Sequence, residues 1–417
     1  MLRYKWSRYA KFLNLQIEEL MTRVLITGMG VISAIGNNVK ESRESLQKGQ
    51  TGIGKAQLIT SRYVDVFPFG EIPHSTASLM ERAGIAGEKG ITRTDILATL
   101  ALQEAFSTAK MTSNEIAAMD TAFISASTVG GMSMTDELYR DGNKIGEPSD
   151  YLSSYICAAH TLKLVDRYKL KGPTTTFNTA CSSSTNSIMF GAKLIKSGRV
   201  KRAIVGGADG LAKFTINGFN ALRILSPRPC MPFDRDRSGL TLGEGAAFLI
   251  LEAEELVGNK KVYGEVTGYG NTNDAFHPSS ISKDAIGIIG SITQALKVAN
   301  LQPEQIDYIN AHGTGTENND ISEIFGLDKV FGKIPPYQST KSYTGHTLAA
   351  AGVIEAVFSL LAMQNNELYP SLNCINPIEG YNASPISAYQ NNYAIEHILS
   401  NSFGFGGNCS SIILSKV

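Results

Sequence analysis

The sequence has no excess of charge of either sign. Its 38 Lys and Arg are matched by 38 Asp and Glu, so there is no overall field to hold a polyanion, and a nucleic-acid partner is not expected. Cysteine is sparse: five residues, at 157, 181, 230, 374 and 409, none of them spaced C-x-x-C. An odd, scattered set argues against a disulfide framework or a structural zinc site. It suits a reducing compartment that leaves a reactive thiol free, and a cytoplasmic location is expected. No run approaches the roughly 20 apolar residues of a membrane span, so no membrane partner is expected. Residues 1–20 are basic and aromatic, but Glu18 and Glu19 interrupt them and they lack the apolar stretch of a signal peptide. They read as an extension before a fold that begins near Met21.

What the chain does have is an alternation of strand and helix patterns, which predicts an α/β layered fold. TRVLITGMGVISAIG (22–36) reads as a buried strand running into a Gly-rich turn. Ser33 stands where a dinucleotide fingerprint needs glycine, and no acidic residue closes a following strand, so NAD binding is rejected. Helical spacing follows near 38–48 and over 91–110. Strands are expected over 121–128, 172–180, 202–209 and 246–253. The rhythm repeats with a strand at 261–270, a helix near 283–299, a strand at 306–313, and a strand, turn and long helix over 335–365. Two strands around a Gly-rich turn fill 397–417. The segments TTTFNTACSSSTNSIMFGAKLIKSG and PYQSTKSYTGHTLAAAGVIEAVFSLL both run strand, polar turn, then a helix of small residues. Small residues let other backbone approach closely, so a duplicated fold with two buried helices back to back is expected. Its halves would be 21–258, with the candidate nucleophile, and 259–417, with two unusual histidines.

Cys181 falls where a strand ends and a helix starts, in Asn178-Thr179-Ala180-Cys181-Ser182-Ser183-Ser184. A helix N-terminus presents free N–H groups and a partial positive charge, which should lower the thiol pKa and can hold an oxyanion. The serines are expected to cap the helix. Cys409, beside a Gly-rich turn, is the one rival and reads as core packing.

Of six histidines, His312 lies in Asn310-Ala311-His312-Gly313-Thr314-Gly315-Thr316, and His346 ends Lys341-Ser342-Tyr343-Thr344-Gly345-His346. A glycine beside each lets a ligand approach, and a neutral imidazole there can donate a hydrogen bond to a developing enolate. Neither lies in an i, i+4 ligand pattern, so no metal is expected. Asp320, Glu323 and Lys341 add charge nearby and are expected to form a salt bridge holding the two loops. Asn401-Ser402-Phe403-Gly404-Phe405-Gly406-Gly407-Asn408 lacks the Gly-Lys-Ser/Thr of a phosphate loop and reads as a hinge with Phe405 as a gate.

Together these motifs resemble the β-ketoacyl-(acyl carrier protein) synthase family, elongating type, nearest to ketoacyl synthase II, over roughly 21–417. Thr179 to Ser183 looks like its nucleophile motif, and His312 to Thr316 with Asn319, Asp320 and Glu323 like its first histidine motif. Lys341 to His346 resembles its lysine and second-histidine motif, and Asn401 to Gly407 its NSFGFGG turn. Pro232-Phe233-Asp234 with Gly239 and Gly243-Glu244-Gly245 resembles a further signature. The chain departs from the pattern at Asn408-Cys409, where Thr-Asn is usual, and in Cys-Ser-Ser-Ser after the alanine.

The resemblance implies a thiolase-like duplicated fold, layered α-β-α-β-α, with two mixed five-stranded sheets and a buried central helix pair. It implies a decarboxylative condensation in which Cys181 takes an acyl group and malonyl-carrier is decarboxylated beside His312 and His346. The backbone N–H groups of Cys181 and Phe405 would form the oxyanion hole. Lys341, Glu323 and Asp320 would be supports. Thr314 and Thr316 would touch the pantetheine arm, and Phe403, Val129 and Phe219 would line substrate. Arg223 would contact acyl carrier protein. No cofactor or metal is implied beyond the carrier's phosphopantetheine arm, and a homodimer is expected. An accessory synthase for a polyene or polyketide-type product, and a non-catalytic chain-length partner, are the alternatives. Retention of Cys181 counts against the last. A thiolase would use a second cysteine, and an initiating synthase an Asn in place of His346.

Overall fold

The computed structural model describes residues 22–417, apart from Ile145 and Glu147. The expected extension at 1–20 lies outside the described residues. Among the described residues ten strands form the framework: β1 Val24–Ser33, β2 Thr121–Ala126, β3 Thr174–Phe177, β4 Arg202–Asp209, β5 Gly245–Ala253, β6 Gly264–Asn273, β7 Tyr308–Asn310, β8 Tyr337–Gln338, β9 His397–Phe403 and β10 Asn408–Ser415. Their order is β3-β2-β4-β5-β1-β6-β10-β9-β7-β8. Read outward from the middle, each half repeats one topology. β1 pairs antiparallel with β5, β5 antiparallel with β4, and β4-β2-β3 run parallel. Likewise β6 pairs antiparallel with β10, β10 antiparallel with β9, and β9-β7-β8 run parallel. The two five-stranded halves meet through only two residue pairs, Leu25↔Glu265 and Ile26↔Gly264.

Six helices matter to the site: α1 Arg93–Thr108, α2 Ser183–Lys196, α3 Lys213–Ala221, α4 Ile286–Ala299, α5 Glu317–Phe331 and α6 Ala351–Asn365. α2 follows β3 and α6 follows β8, so the two look-alike segments occupy equivalent places. They pack on one another. A methyl group on Gly352 would lie 1.9 Å from Thr185 Oγ1, and the Val353 N–H donates to Ser184 Oγ at 3.0 Å. Ile188, Ala192, Val353, Val357 and Leu360 join one core cluster there. The stretch Leu348–Asn365 is long and apolar enough to cross a membrane by length and composition, and 89% of it is buried inside the protein. That burial accounts for its apolarity as core packing.

The Gly-rich stretch after the first apolar residues is not a turn. Gly28 and Gly30 lie inside β1. A methyl group on Gly30 would sit 2.1 Å from the Ala101 carbonyl oxygen and 2.6 Å from the Ala105 nitrogen. The missing side chain lets α1 lie directly on the strand, which sequence periodicity alone does not reveal.

Gly30→Ala should therefore force strand and helix apart and lower stability by about 1–3 kcal/mol. Gly218→Ala, on α3 with nothing within 4 Å of the added methyl, should be neutral or stabilising by up to about 1 kcal/mol. Chemical denaturation of both variants checks this. Equal midpoints would contradict it.

Candidate active site

Cys181 stands on the turn between β3 and α2. Ala180 before it is held at φ +52°, a left-handed conformation that costs an L-residue about 1–3 kcal/mol and persists only where the surroundings enforce it. Three bonds enforce it here. The Thr179 N–H donates to Ser183 Oγ at 2.9 Å. The Ser183 hydroxyl donates to the Ala180 carbonyl at 2.5 Å, and the Ser182 hydroxyl lies 2.7 Å from the Thr179 carbonyl. The serines thus tie the turn backward. Ser182 sits at the N-cap without a capping bond, contrary to the expectation from sequence.

The thiol is 6% exposed. Burial pushes it up to about 11, against the pull of Lys341 and of the backbone N–H groups of Phe405 and Cys181. The expected lowering by the helix terminus is outweighed, because a thiolate loses more hydration here than those groups return. The same two N–H groups favour the thiolate, and Cys181 and Phe405 line one cavity, so they are placed to meet negative charge that develops there.

The imidazoles of His312 and His346 stand edge to face with centroids 5.5 Å apart. Both residues are buried, and glycines at φ +34° (Gly313) and +70° (Gly345) bend the chain beside them. His346 Nδ1 accepts the Leu348 N–H at 3.1 Å, so a neutral ring carries its proton on Nε2. That atom is buried and has no hydrogen-bond partner among the described residues. His312 Nδ1 lies 3.2 Å from Lys341 Nζ, which fixes the same tautomer. Burial, and then the Lys341 charge, hold both rings well below the usual histidine pKa. They are two neutral N–H donors.

Lys341 is 1% exposed and donates to Glu355 Oε1 and to the His312 carbonyl, each at 2.5 Å. Glu355, on α6, is the group that sequence reasoning missed; its one signal is a lone acid within an apolar helix. Burial raises it to about 7 while Lys341 opposes the rise. The salt bridge expected among Asp320, Glu323 and Lys341 does not form. Glu323 accepts the His312 and Gly313 N–H groups, each at 2.8 Å, and burial raises it to about 7. Asp320 accepts the Phe233 N–H at 2.8 Å and the Thr314 N–H at 3.0 Å, with Arg237 at 3.8 Å as its cation. Both carboxylates, on α5, satisfy the backbone of the 312–315 loop.

Cys181, His312 and His346 open onto one cavity of about 440 Å³, which Thr314, Thr316, Phe403, Phe405, Phe219 and Arg223 also line. The Phe219 and Phe405 rings stack with centroids 5.8 Å apart. Arg223 is exposed at its rim. Val129 does not line the cavity. It is buried in a neighbouring apolar cluster with Ile216, Leu242 and Leu348, and its N–H approaches Asp209. Cys409 is fully buried.

A thiol, two N–H donors at its sulfur and two neutral imidazoles across one cavity suit acyl transfer through a thioester. On this doubled α/β framework they define a thiolase-like acyltransferase. Comparison with known proteins agrees. Residues 21–256 match the family model "Beta-ketoacyl synthase, N-terminal domain", and 263–375 its C-terminal domain. The 3-oxoacyl-[acyl-carrier-protein] synthase 2 of Coxiella burnetii is 32% identical, over 95% of this chain and 99% of its own. The Staphylococcus aureus enzyme of that name is 31% identical, over 94% and 98%. Among solved structures, the ishigamide ketosynthase/chain length factor superposes with a TM-score of 0.88 at 28% identity, over 95% and 99% of the two chains. The ketosynthase ApeO in complex with its chain length factor, from Xenorhabdus doucetiae, gives 0.79 at 31% identity, over 95% and 98%. The chain belongs to the beta-ketoacyl synthase family.

A resting thiol at about 11 sets an expectation for alkylation. Only the thiolate reacts, so Cys181 modification by iodoacetamide should rise roughly tenfold per pH unit between about pH 7 and 9 without levelling. Peptide mapping of Cys181 against time measures it. A plateau in that range would show a thiolate already formed.

Proposed function

We propose that the chain lengthens an acyl chain by two carbons through decarboxylative Claisen condensation with malonyl-acyl carrier protein. The observation that carries this reading is the meeting of Cys181, His312 and His346, remote in sequence, at one cavity. In the first half-reaction the Cys181 sulfur bonds to the acyl carbonyl carbon, the carrier thioester bond breaks, and the carrier thiol leaves with the cysteine proton. In the second, the malonyl carbon–carboxylate bond breaks and carbon dioxide departs. The electron pair becomes an enolate whose oxygen accepts from the Nε2–H groups of His312 and His346. The enolate carbon bonds to the acyl carbon on Cys181. The resulting oxyanion accepts from the Cys181 and Phe405 N–H groups, then collapses, and the released thiolate takes a proton from solvent. The donors come from the chain itself, and the route calls for no dissociable cofactor.

Thr314 and Thr316 on the cavity wall suit the amides of a pantetheine arm, and the exposed Arg223 suits the acidic face of a carrier protein. Phe219, Phe403 and Phe405 would bound the acyl chain. Val129 belongs to the buried cluster against which Phe219 packs and would act through that packing. A homodimer is the proposed assembly. Solved neighbours that pair a ketosynthase with a chain length factor favour a second reading, a polyketide-type product made with such a partner.

Purified chain alone, given acyl- and malonyl-carrier, should condense them if the first reading holds. Cys181→Ala should lose condensation by more than about 1,000-fold while still decarboxylating malonyl-carrier. His346→Ala should lose decarboxylation by about 100- to 1,000-fold. Product mass and carbon dioxide release measure the two steps. Wild-type activity only with a second, different chain would favour the partnered reading, and a fully active Cys181→Ala would contradict both.

A further inference from the structure

The Phe405 turn and the Cys181 turn belong to different halves of the fold, yet both residues line one cavity and both backbone N–H groups favour the Cys181 thiolate. The turn between β9 and β10 presses close: a methyl group on Gly404 would lie 2.5 Å from the Thr179 carbonyl oxygen and 3.2 Å from the Cys181 nitrogen. The residue that fastens the two turns is Asn408. Its carbonyl accepts the Gly404 N–H at 2.8 Å, closing the turn that carries Phe405. Its side-chain oxygen, Oδ1, lies 2.7 Å from the hydroxyl of Ser182, the neighbour of Cys181.

Further bonds lock that oxygen in place. Asn186 Nδ2 on α2 donates to it at 3.0 Å and also to Thr179 Oγ1 at 2.8 Å. Asn271 Nδ2 on β6 donates at 3.0 Å. Ser410 Oγ joins the group through Asn186 Oδ1 at 2.8 Å. An oxygen serving donors from α2 and from β6 has one place to sit, so the network behaves as a rigid strut between the halves. Asn408, the first residue of β10, is also one of the two positions after this turn that depart from the pattern Thr-Asn.

We propose that Asn408 is a positioning residue that sets the spacing of the Cys181 and Phe405 N–H groups, so that loss of its side-chain acceptor impairs steps passing through an oxyanion at Cys181 and spares malonyl decarboxylation. The inference rests on the condensation reading above. In that reading the enolate oxygen belongs to the two histidines, and the strut does not touch them. The acyl-transfer oxyanion belongs to the two N–H groups that the strut aligns. A misplacement on the order of 1 Å at such donors costs roughly 100-fold.

The test uses the full-length chain as Asn408→Ala and Asn408→Asp, the second keeping an acceptor oxygen at the same reach. Three quantities are compared with wild type: the single-turnover rate of Cys181 acylation from acyl-carrier, the condensation kcat, and carbon dioxide release from malonyl-carrier. For Asn408→Ala, acylation and condensation should fall about 10- to 100-fold with decarboxylation within twofold of wild type, and Asn408→Asp should recover much of the loss. All three rates falling together in both variants would mark Asn408 as merely structural and overturn the proposal. All three remaining at wild-type values would overturn it equally. A wild-type chain that neither decarboxylates nor condenses, alone or with a second, different chain, would defeat the underlying reading of the function, a result distinct from either.

Discussion

The site depends on one buried cation. Lys341 lies under the histidines, where an unpaired charge would cost several kcal/mol. It is held by Glu355 on one side and the His312 carbonyl on another, each at 2.5 Å, with His312 Nδ1 at 3.2 Å. From that position it fixes the His312 tautomer, helps keep both imidazoles uncharged, and draws the Cys181 thiol down against the larger upward push of burial. The pairing also ties chemistry to fold. Glu355 lies on α6, one of the two central helices, so the layer that holds the halves together is the layer that neutralises the site's cation.

The duplication explains how symmetric parts yield an asymmetric site. The residue three positions before the first residue of each central helix adopts the same left-handed conformation, Ala180 at φ +52° and Leu348 at +53°. In the first half the next residue is Cys181. In the second it is Ala349, whose N–H goes instead to Asp209 at 2.9 Å. The second half supplies His346 just ahead of its strained turn, and Leu348 itself donates to that ring. One copy of the turn thus presents a thiol, and the other orients an imidazole. The Phe405 turn closes the site from the second half, with Asn408 bridging to the first.

Much of this was legible in the chain. Strand periodicity located β4 at 202–209 to the residue, and the two look-alike segments marked the central helix pair. The motifs around Cys181, His312 and His346 brought together residues that share one cavity. What escaped depends on tertiary context. Glu355 carries no motif of its own, and its partner lies 14 residues earlier. The glycines of β1 read as a turn because the helix that crosses them is distant in sequence. The helix terminus beside Cys181 can be read from sequence and points to a low thiol pKa, whereas the depth of burial that raises it cannot. Asp320 and Glu323 take backbone N–H groups in place of Lys341, a choice that sequence proximity to a lysine does not reveal.

The central claim is that two uncharged imidazoles, each with its proton on Nε2, face the cavity, and that Lys341 fixes this state for His312. Nitrogen-15 NMR of histidine-labelled protein, with His312 and His346 assigned from their alanine variants, reads protonation and tautomer at once. The account expects both rings neutral in the Nε2–H form on either side of the ordinary histidine value of about 6.5, with Lys341→Ala disturbing His312 first. A cationic ring, or a proton on Nδ1, near neutral pH would contradict it.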